Sequence, residues 1–350
     1  MMPCTLRSAC RWTVTLSLLL LATLSVASAG RTEPSAAEPV QQELTIYSGR
    51  GESLVAPLVE SFESETGIRV NVRYAGTAEL AVLLFEEGSR TPADLFWAQD
   101  AGALGALAGE GLLAGLPTRL YDELPDIYRS TTGRWLATSG RARVLAYSSE
   151  RVDEAAFPES VFDLAAPEYR GRVGWAPTNG SFQAFVTAMR IVHGEEATAD
   201  WLRAMQTNDV QPYRNNTTQL EAIAAGEIDF ALVNNYYLLR FTASDPDYPV
   251  AQRFLADGDI GNMVNIAGIG VLASSRRTDE ALAFAEFLLS HESQAYFTGT
   301  VYEYPVIADV EPDERLESFQ TLLDASPRVD LDALQDLEGT LSLLRETGLL

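Results

Sequence analysis

The chain has 350 residues, with 49 acidic against 25 lysine-or-arginine side chains and a formal charge of −24 at pH 7. A field of that sign disfavours nucleic acid and anionic membranes as partners. All 25 of those cations are arginine, which excludes Schiff-base and P-loop lysines.

The chain opens on a targeting pattern. Arg7 and Arg11 precede the apolar run Trp12–Leu24, too short to span a membrane comfortably, and Ala27-Ser28-Ala29 follows. That order predicts a signal peptide over residues 1–29, leaving a free periplasmic chain from Gly30 with no membrane insertion. Cys4 and Cys10 leave with the peptide. The mature chain is therefore expected to lack disulfides, thiolate metal sites, a cysteine nucleophile and a lipid anchor. Residues 30–43 are polar with two prolines, the composition of a flexible lead-in. The remainder exceeds the usual size of one core, so two lobes are expected.

Leu44–Tyr47 (LTIY) is the first β-prone run, and Gly49-Arg50-Gly51 turns out of it. Ser53–Thr66 places Leu54, Leu58, Val59 and Phe62 at helical spacing, with Gly67 as its C-terminal cap. Ile68–Tyr74 alternates like a half-buried strand. A helix from Thr77 to Gly88, a strand at Ala93–Trp97 and a helix from Ala101 to Ala108 complete a β-α-β-α-β opening. This order argues for an α/β lobe with a largely parallel sheet. Alternation resumes after Arg143, with strands at Val144–Tyr147, Val173–Trp175 and Phe230–Val233. Helices are expected at Phe182–Val192, Glu196–Met205 and Gln219–Ala225. Ile266–Leu272 is β-prone, Asp279–Leu289 helical, and Leu331–Leu350 reads as helical at the end of an acidic tail. His193 and His291 fall at expected helix C-termini, where a histidine complements the dipole.

Tyr236 and Tyr237 stand side by side in Ala231–Phe241 (ALVNNYYLLRF). Phenolate oxygens are hard, basic donors that suit hard cations, so an exported chain with this pair suggests ferric-ion capture. Adjacent tyrosines also serve as ordinary strand or helix-end aromatics, with one face buried and the hydroxyl wet. Asn179-Gly180-Ser181 precedes a helical run. Backbone N–H groups at such a start bind phosphate or carbonate, and Ser181 equally suits an N-terminal cap. Arg141 and Arg143 offer permanently charged, bidentate donors to an anion, to tyrosinates or to a carboxylate.

Six segments carry a resemblance: YSGRGE at Tyr47–Glu52, EEGSRTPADLFW at Glu86–Trp97, SGRARVLAY at Ser139–Tyr147, WAPTNGSF at Trp175–Phe182, GEIDFALVNNYY at Gly226–Tyr237 and EYP at Glu303–Pro305. In that order the chain resembles periplasmic ferric-ion-binding proteins, the solute receptors of iron ABC importers, from Leu44 to Leu350. The resemblance implies an α/β, two-lobe periplasmic-binding-protein fold with hinge strands and a central cleft that closes on its ligand. The lobes would be residues 44–142 plus 267–318, and residues 143–266 plus 319–350. It also implies a non-enzymatic monomer that delivers Fe(III) to an inner-membrane ABC permease.

On this resemblance Tyr236 and Tyr237 occupy the places of the family's iron ligands. Asn179, Gly180 and Ser181 match an anion-holding segment, and Asn216 and Asn234 match positions that help hold a synergistic phosphate or carbonate. Arg141 and Arg143 would add charge. Gln99 stands where some members carry a glutamate ligand, and offers a carbonyl oxygen. Gly51 stands where they carry a histidine, and Phe182, which cannot ligate, where others carry a third tyrosine. Glu52 and Asp100 read as helix-start residues. A small molecule such as thiamine or a phosphonate suits the same fold. An exported hydrolase is the alternative of a different class, but no GxSxG, HExxH or paired-histidine motif supports it.

Overall fold

The computed structural model describes residues 42–122 and 124–350, so the signal peptide and nearly all of the lead-in expected from the sequence lie outside the described residues. β1 (Glu43–Ser48), β2 (Arg69–Tyr74) and β3 (Leu95–Ala98) are parallel neighbours joined by α1 (Glu52–Thr66) and α2 (Thr77–Glu87). Gly67 takes φ 72° and caps α1 through its N–H to the Glu63 carbonyl, a left-handed position that glycine adopts without strain. α3 (Ala101–Gly109) follows β3, and β4 (Leu136–Ser148) opens the second half of the molecule. There β5 (Val173–Trp175), α4 (Gly180–His193), α5 (Glu195–Thr207), β6 (Gln211–Pro212), α6 (Asn216–Ala225), β7 (Phe230–Asn234), α7 (Tyr236–Thr242) and β8 (Val250–Arg253) follow in turn. β9 (Val264–Val271) returns to the first half, and α8 (Thr278–Leu288), α9 (His291–Tyr296), α10 (Phe319–Ala325) and α11 (Leu337–Glu346) complete the chain.

The sheet runs β2-β1-β3-β9-β4-β7-β5-β6, with β8 also paired to β4. Pairing is parallel among β2, β1 and β3, as expected for the opening segment, and among β7, β5 and β6; it is antiparallel wherever β4 or β9 takes part, so the sheet as a whole is mixed. β4 makes the junction. Its first part, Leu136–Ala142, pairs with β9, and its second part, from Arg143, pairs with β7 and β8. The strand begins well before Val144, where the sequence placed it, because polar Thr138 and Ser139 and Gly140 hide its pattern. Thr138 and Ser139 are fully buried and hydrogen-bonded, to the Ala267 carbonyl and to Glu303.

Each half has its own aromatic core. Phe62, Trp97, Phe284 and Phe297 meet edge-on in the first, and Trp201 meets Trp175 and Phe185 edge-on, as Phe182 does Trp175, in the second. The C-terminal segment touches both. Leu331–Gln335 is a 3-10 turn laid on α3, where a Cβ at Gly102 would stand 2.6 Å from the Leu334 carbonyl oxygen and one at Gly105 2.8 Å from that of Asp332. Asp336 then caps α11 through the Gly339 N–H, and α11 lies on α4 with Thr340 hydrogen-bonded to Thr187 at 2.7 Å. The expected helical run Leu331–Leu350 is thus two elements, broken by the Asp336 cap. His291 is also corrected. It opens α9 behind the Ser290 cap and does not close α8. Among the described residues no helix is long and apolar enough to cross a membrane.

Candidate functional site

β7 is buried along its whole length between β4 and β5. Asn235 extends its pairing after the strand ends. The Asn235 N–H donates to the Ala142 carbonyl at 3.0 Å, and its Oδ1 accepts the Ala142 N–H at 2.9 Å. α7 starts at the next residue, so Tyr236 and Tyr237 stand where a rigid strand becomes a helix. Their rings stack with centroids 4.5 Å apart and planes at 27°. Tyr236 is 5 % exposed, Tyr237 is half-buried, and the Arg240 guanidinium one turn later lies over both rings at 5.0 and 5.5 Å. Burial pushes the Tyr236 phenol above its ordinary range. Tyr237, Glu303 and a hydrogen bond with Tyr237 push the same way, against the pull of Arg141.

Behind the pair is a buried ionic layer. Glu303 accepts from Arg50 Nη1 at 3.0 Å and Nη2 at 2.9 Å, and from the Ser139 hydroxyl. Burial alone would raise its carboxyl, but Arg50, then Arg141, and the hydrogen bonds hold it below the usual range. Arg50 Nη1 also donates to Gln99 Oε1 at 2.9 Å, so the oxygen read as a metal donor is engaged by a cation. Asp100 caps α3, accepting from the Ala103 N–H at 3.1 Å, and Gly51 and Glu52 are exposed at the start of α1.

The residues read as anion donors gather on β4, β7, α4 and α6. Arg143 faces Asn234 across the β4–β7 ladder, and its guanidinium donates to the Leu232 carbonyl at 2.8 Å and the Ser181 carbonyl at 3.4 Å. Burial, and then repulsion from Arg141, pull Arg143 down to about 9, which leaves it charged at neutral pH. The Asn234 N–H donates to Asn216 Oδ1 at 3.2 Å. The Asn179 turn is otherwise occupied. Asn179 Oδ1 accepts the Ser181 N–H at 3.0 Å and the Ser181 hydroxyl at 2.6 Å, so the side chain caps α4 and takes the donors an anion would use. Gly180 is exposed, and Phe182 is a core ring packed on Trp175.

Buried nitrogens left without a partner include Arg141 Nη1, Arg143 Nε, Asn216 Nδ2 and Asn235 Nδ2. An unsatisfied buried donor costs about 1–3 kcal/mol. Unpaired oxygens lie on neighbouring elements, Gln219 Oε1 on α6 and Gln252 Oε1 on β8. Among the described residues no group of three or more His, Cys, Asp or Glu is placed to hold a metal ion.

A family model described as bacterial extracellular solute-binding protein matches residues 90–325. The chain is 34 % identical over 319 residues to the major ferric iron-binding protein of Neisseria meningitidis serogroup B, covering 90 % of this chain and 96 % of that one. The chain belongs to the bacterial extracellular solute-binding proteins. Iron-bound HitA from Pseudomonas aeruginosa superposes with a TM-score of 0.81 at 33 % identity, over 88 % of this chain and 99 % of that one. The Trichodesmium protein in complex with iron and citrate gives 0.78 at 28 % identity, over 88 % and 100 %. The α/β architecture is the two-lobe fold of these solute-binding proteins.

Arg50, Ser139, Asn235, Arg240 and Glu303 were not singled out by sequence reasoning. Arg50 and Glu303 lie in quoted motifs, but 253 positions separate them and no local pattern announces their pairing.

Proposed function

We propose that this solute-binding protein is a periplasmic receptor that takes Fe(III) on Tyr236 and Tyr237 as phenolates, with an oxyanion beside them, and passes it to an inner-membrane ABC permease. The observation that carries the reading is the stacked tyrosine pair at the end of β7, set against four buried N–H donors without partners. Phenolates supply hard, charged oxygens to the metal, and the free N–H groups of Arg141, Arg143, Asn216 and Asn235 supply an acceptor's partners. Phosphate or carbonate fits that role. On this reading the anion sits by β4 and α6 rather than at the Asn179 turn, whose donors the Asn179 side chain already holds. The names of the Neisseria and Pseudomonas relatives support the same cargo. Export with cleavage after Ala29, a monomer and the lobe boundaries at residues 142/143, 266/267 and 318/319 belong to this proposal.

The test is a titration of purified protein with ferric citrate, followed in the visible. Tyrosinate-to-iron charge transfer is expected in the parent, and its loss in the double variant Tyr236→Phe, Tyr237→Phe. The unpaired cationic donors also suit an anionic solute without metal. A double variant that keeps parental ferric affinity would refute the tyrosine ligands, and a parent that binds phosphate but takes no ferric ion would favour the second reading.

A further inference from the structure

At the β4 junction three arginines are buried, Arg50 at 1 % exposure and Arg141 and Arg143 at 3 % each, against one buried carboxylate, Glu303 at 1 %. Such a cluster, with free N–H groups, would by itself hold any small oxyanion, iron or no iron. We propose that Glu303 is a specificity-determining residue, the buried counter-charge that makes this site take a metal–anion pair in preference to a free anion. The proposal rests on the ferric reading above and adds the reason that the empty site is not an anion trap.

The chain is bent to put this carboxylate there. A π turn at Phe297–Val301 leads into Tyr302, which holds φ 63° and ψ 31°, a left-handed conformation disfavoured for a bulky residue. Two residues on, Tyr304 bridges to Gly140 on β4 through two backbone hydrogen bonds of 2.7 and 2.8 Å. Glu303 is thereby fixed beside Ser139, two residues from Arg141, and consumes Arg50 through both oxygens. Apolar side chains in place of both Glu303 and Arg50 would fill the same space, and a buried ion pair is often no more stabilising than such a double replacement. What the carboxylate adds is charge. It cancels one cation, lowers the field that draws free anions, and leaves a place that gains from a trivalent metal.

The test compares inorganic phosphate and ferric citrate as probes of the mature protein, with thermal melting as the fold check. Glu303→Gln keeps the shape and an acceptor for Arg50 but removes the charge. One unit of buried charge near the site is worth about tenfold or more in affinity. Affinity of the iron-free variant for phosphate is therefore expected to rise about tenfold, and ferric affinity to fall by a similar factor. Arg50→Gln makes the mirror change, with weaker phosphate binding and ferric binding no weaker than in the parent. A purely structural role would weaken both probes together. That result, or two unchanged affinities, overturns the proposal. If Glu303→Gln does not fold, Arg50→Gln decides alone, and loss of fold in both assigns the pair to stability and also overturns it. A parent that takes no ferric ion overturns the tyrosine reading and this proposal with it. A parent that takes iron while Glu303→Gln keeps both parental affinities overturns this one only.

Discussion

At the scale of single residues the chemistry turns on a phenol that is difficult to ionise. Burial raises Tyr236 above the ordinary tyrosine range, so its oxygen is protonated in the empty site at neutral pH. Metal binding must displace that proton, and the two compete for one oxygen. Ferric affinity is therefore expected to fall as pH falls, by about tenfold per pH unit for each proton released on binding. Proton release measured beside the charge-transfer band checks this, and a pH-independent affinity would refute phenolate ligation. The Asn179 turn gives a second prediction. Its side chain already holds the Ser181 N–H and hydroxyl. Asn179→Ala should cost about 1 kcal/mol of stability as a lost cap while ferric binding survives. Weakened ferric binding at parental stability would instead restore the turn as the anion cradle. The tyrosine pair stands out in the sequence because two adjacent phenols are a local pattern. Arg50, Asn235 and Glu303 do not, because each acquires its meaning from a partner on another element.

Among the elements, amphipathic helices and apolar strands were the legible ones, and β4 and the C-terminal segment the least. β4 is polar in sequence because it is the shared strand, where Ser139 and Arg141 serve the ionic layer rather than an apolar face. The leucines of residues 331–350 do have helical spacing, but Asp332 is drawn out of that pattern. It accepts from Ser130, Thr131, Thr132 and Trp135, and so fastens the 3-10 turn beside α3. Arg190 fastens the next stretch to α4 through Asp336 at 2.8 Å and Thr340 at 2.8 Å. The tail is thus tied to both halves. Asp332→Ala strands several donors, of which the Trp135 indole is the most deeply buried, and is expected to cost about 2–4 kcal/mol. Gly105→Ala would press a methyl on the Asp332 carbonyl and cost about 1–3 kcal/mol. Chemical denaturation measures both, and a Gly105→Ala chain as stable as the parent would refute the close packing of the tail on α3.

For the whole molecule, the two-lobe architecture followed from alternating elements together with a family resemblance, which also led us to expect strands that cross between the lobes. Each half closes its own aromatic core, and β4 and β9 run between them. That arrangement permits hinge closure, because bending at two strands leaves both cores intact. The cargo must supply the drive, since a ligand shifts lobes only by touching them differently in the two states. Tyr236, Tyr237, Arg143, Asn216 and Asn235 all belong to the second half or its edge. From the first half, Gln99 has its oxygen engaged by Arg50. On the proposed reading a bare metal on the phenols would therefore have few protein ligands from the first half, and an anion that also meets the Arg141 edge of the junction would complete the bridge. Small-angle scattering should accordingly show a smaller radius of gyration when ferric ion and phosphate are both present. Phosphate alone should produce little change, and Tyr236→Phe, Tyr237→Phe should remain open under all conditions. Compaction of that double variant by phosphate alone would show that the anion drives closure, and would remove the metal from the mechanism.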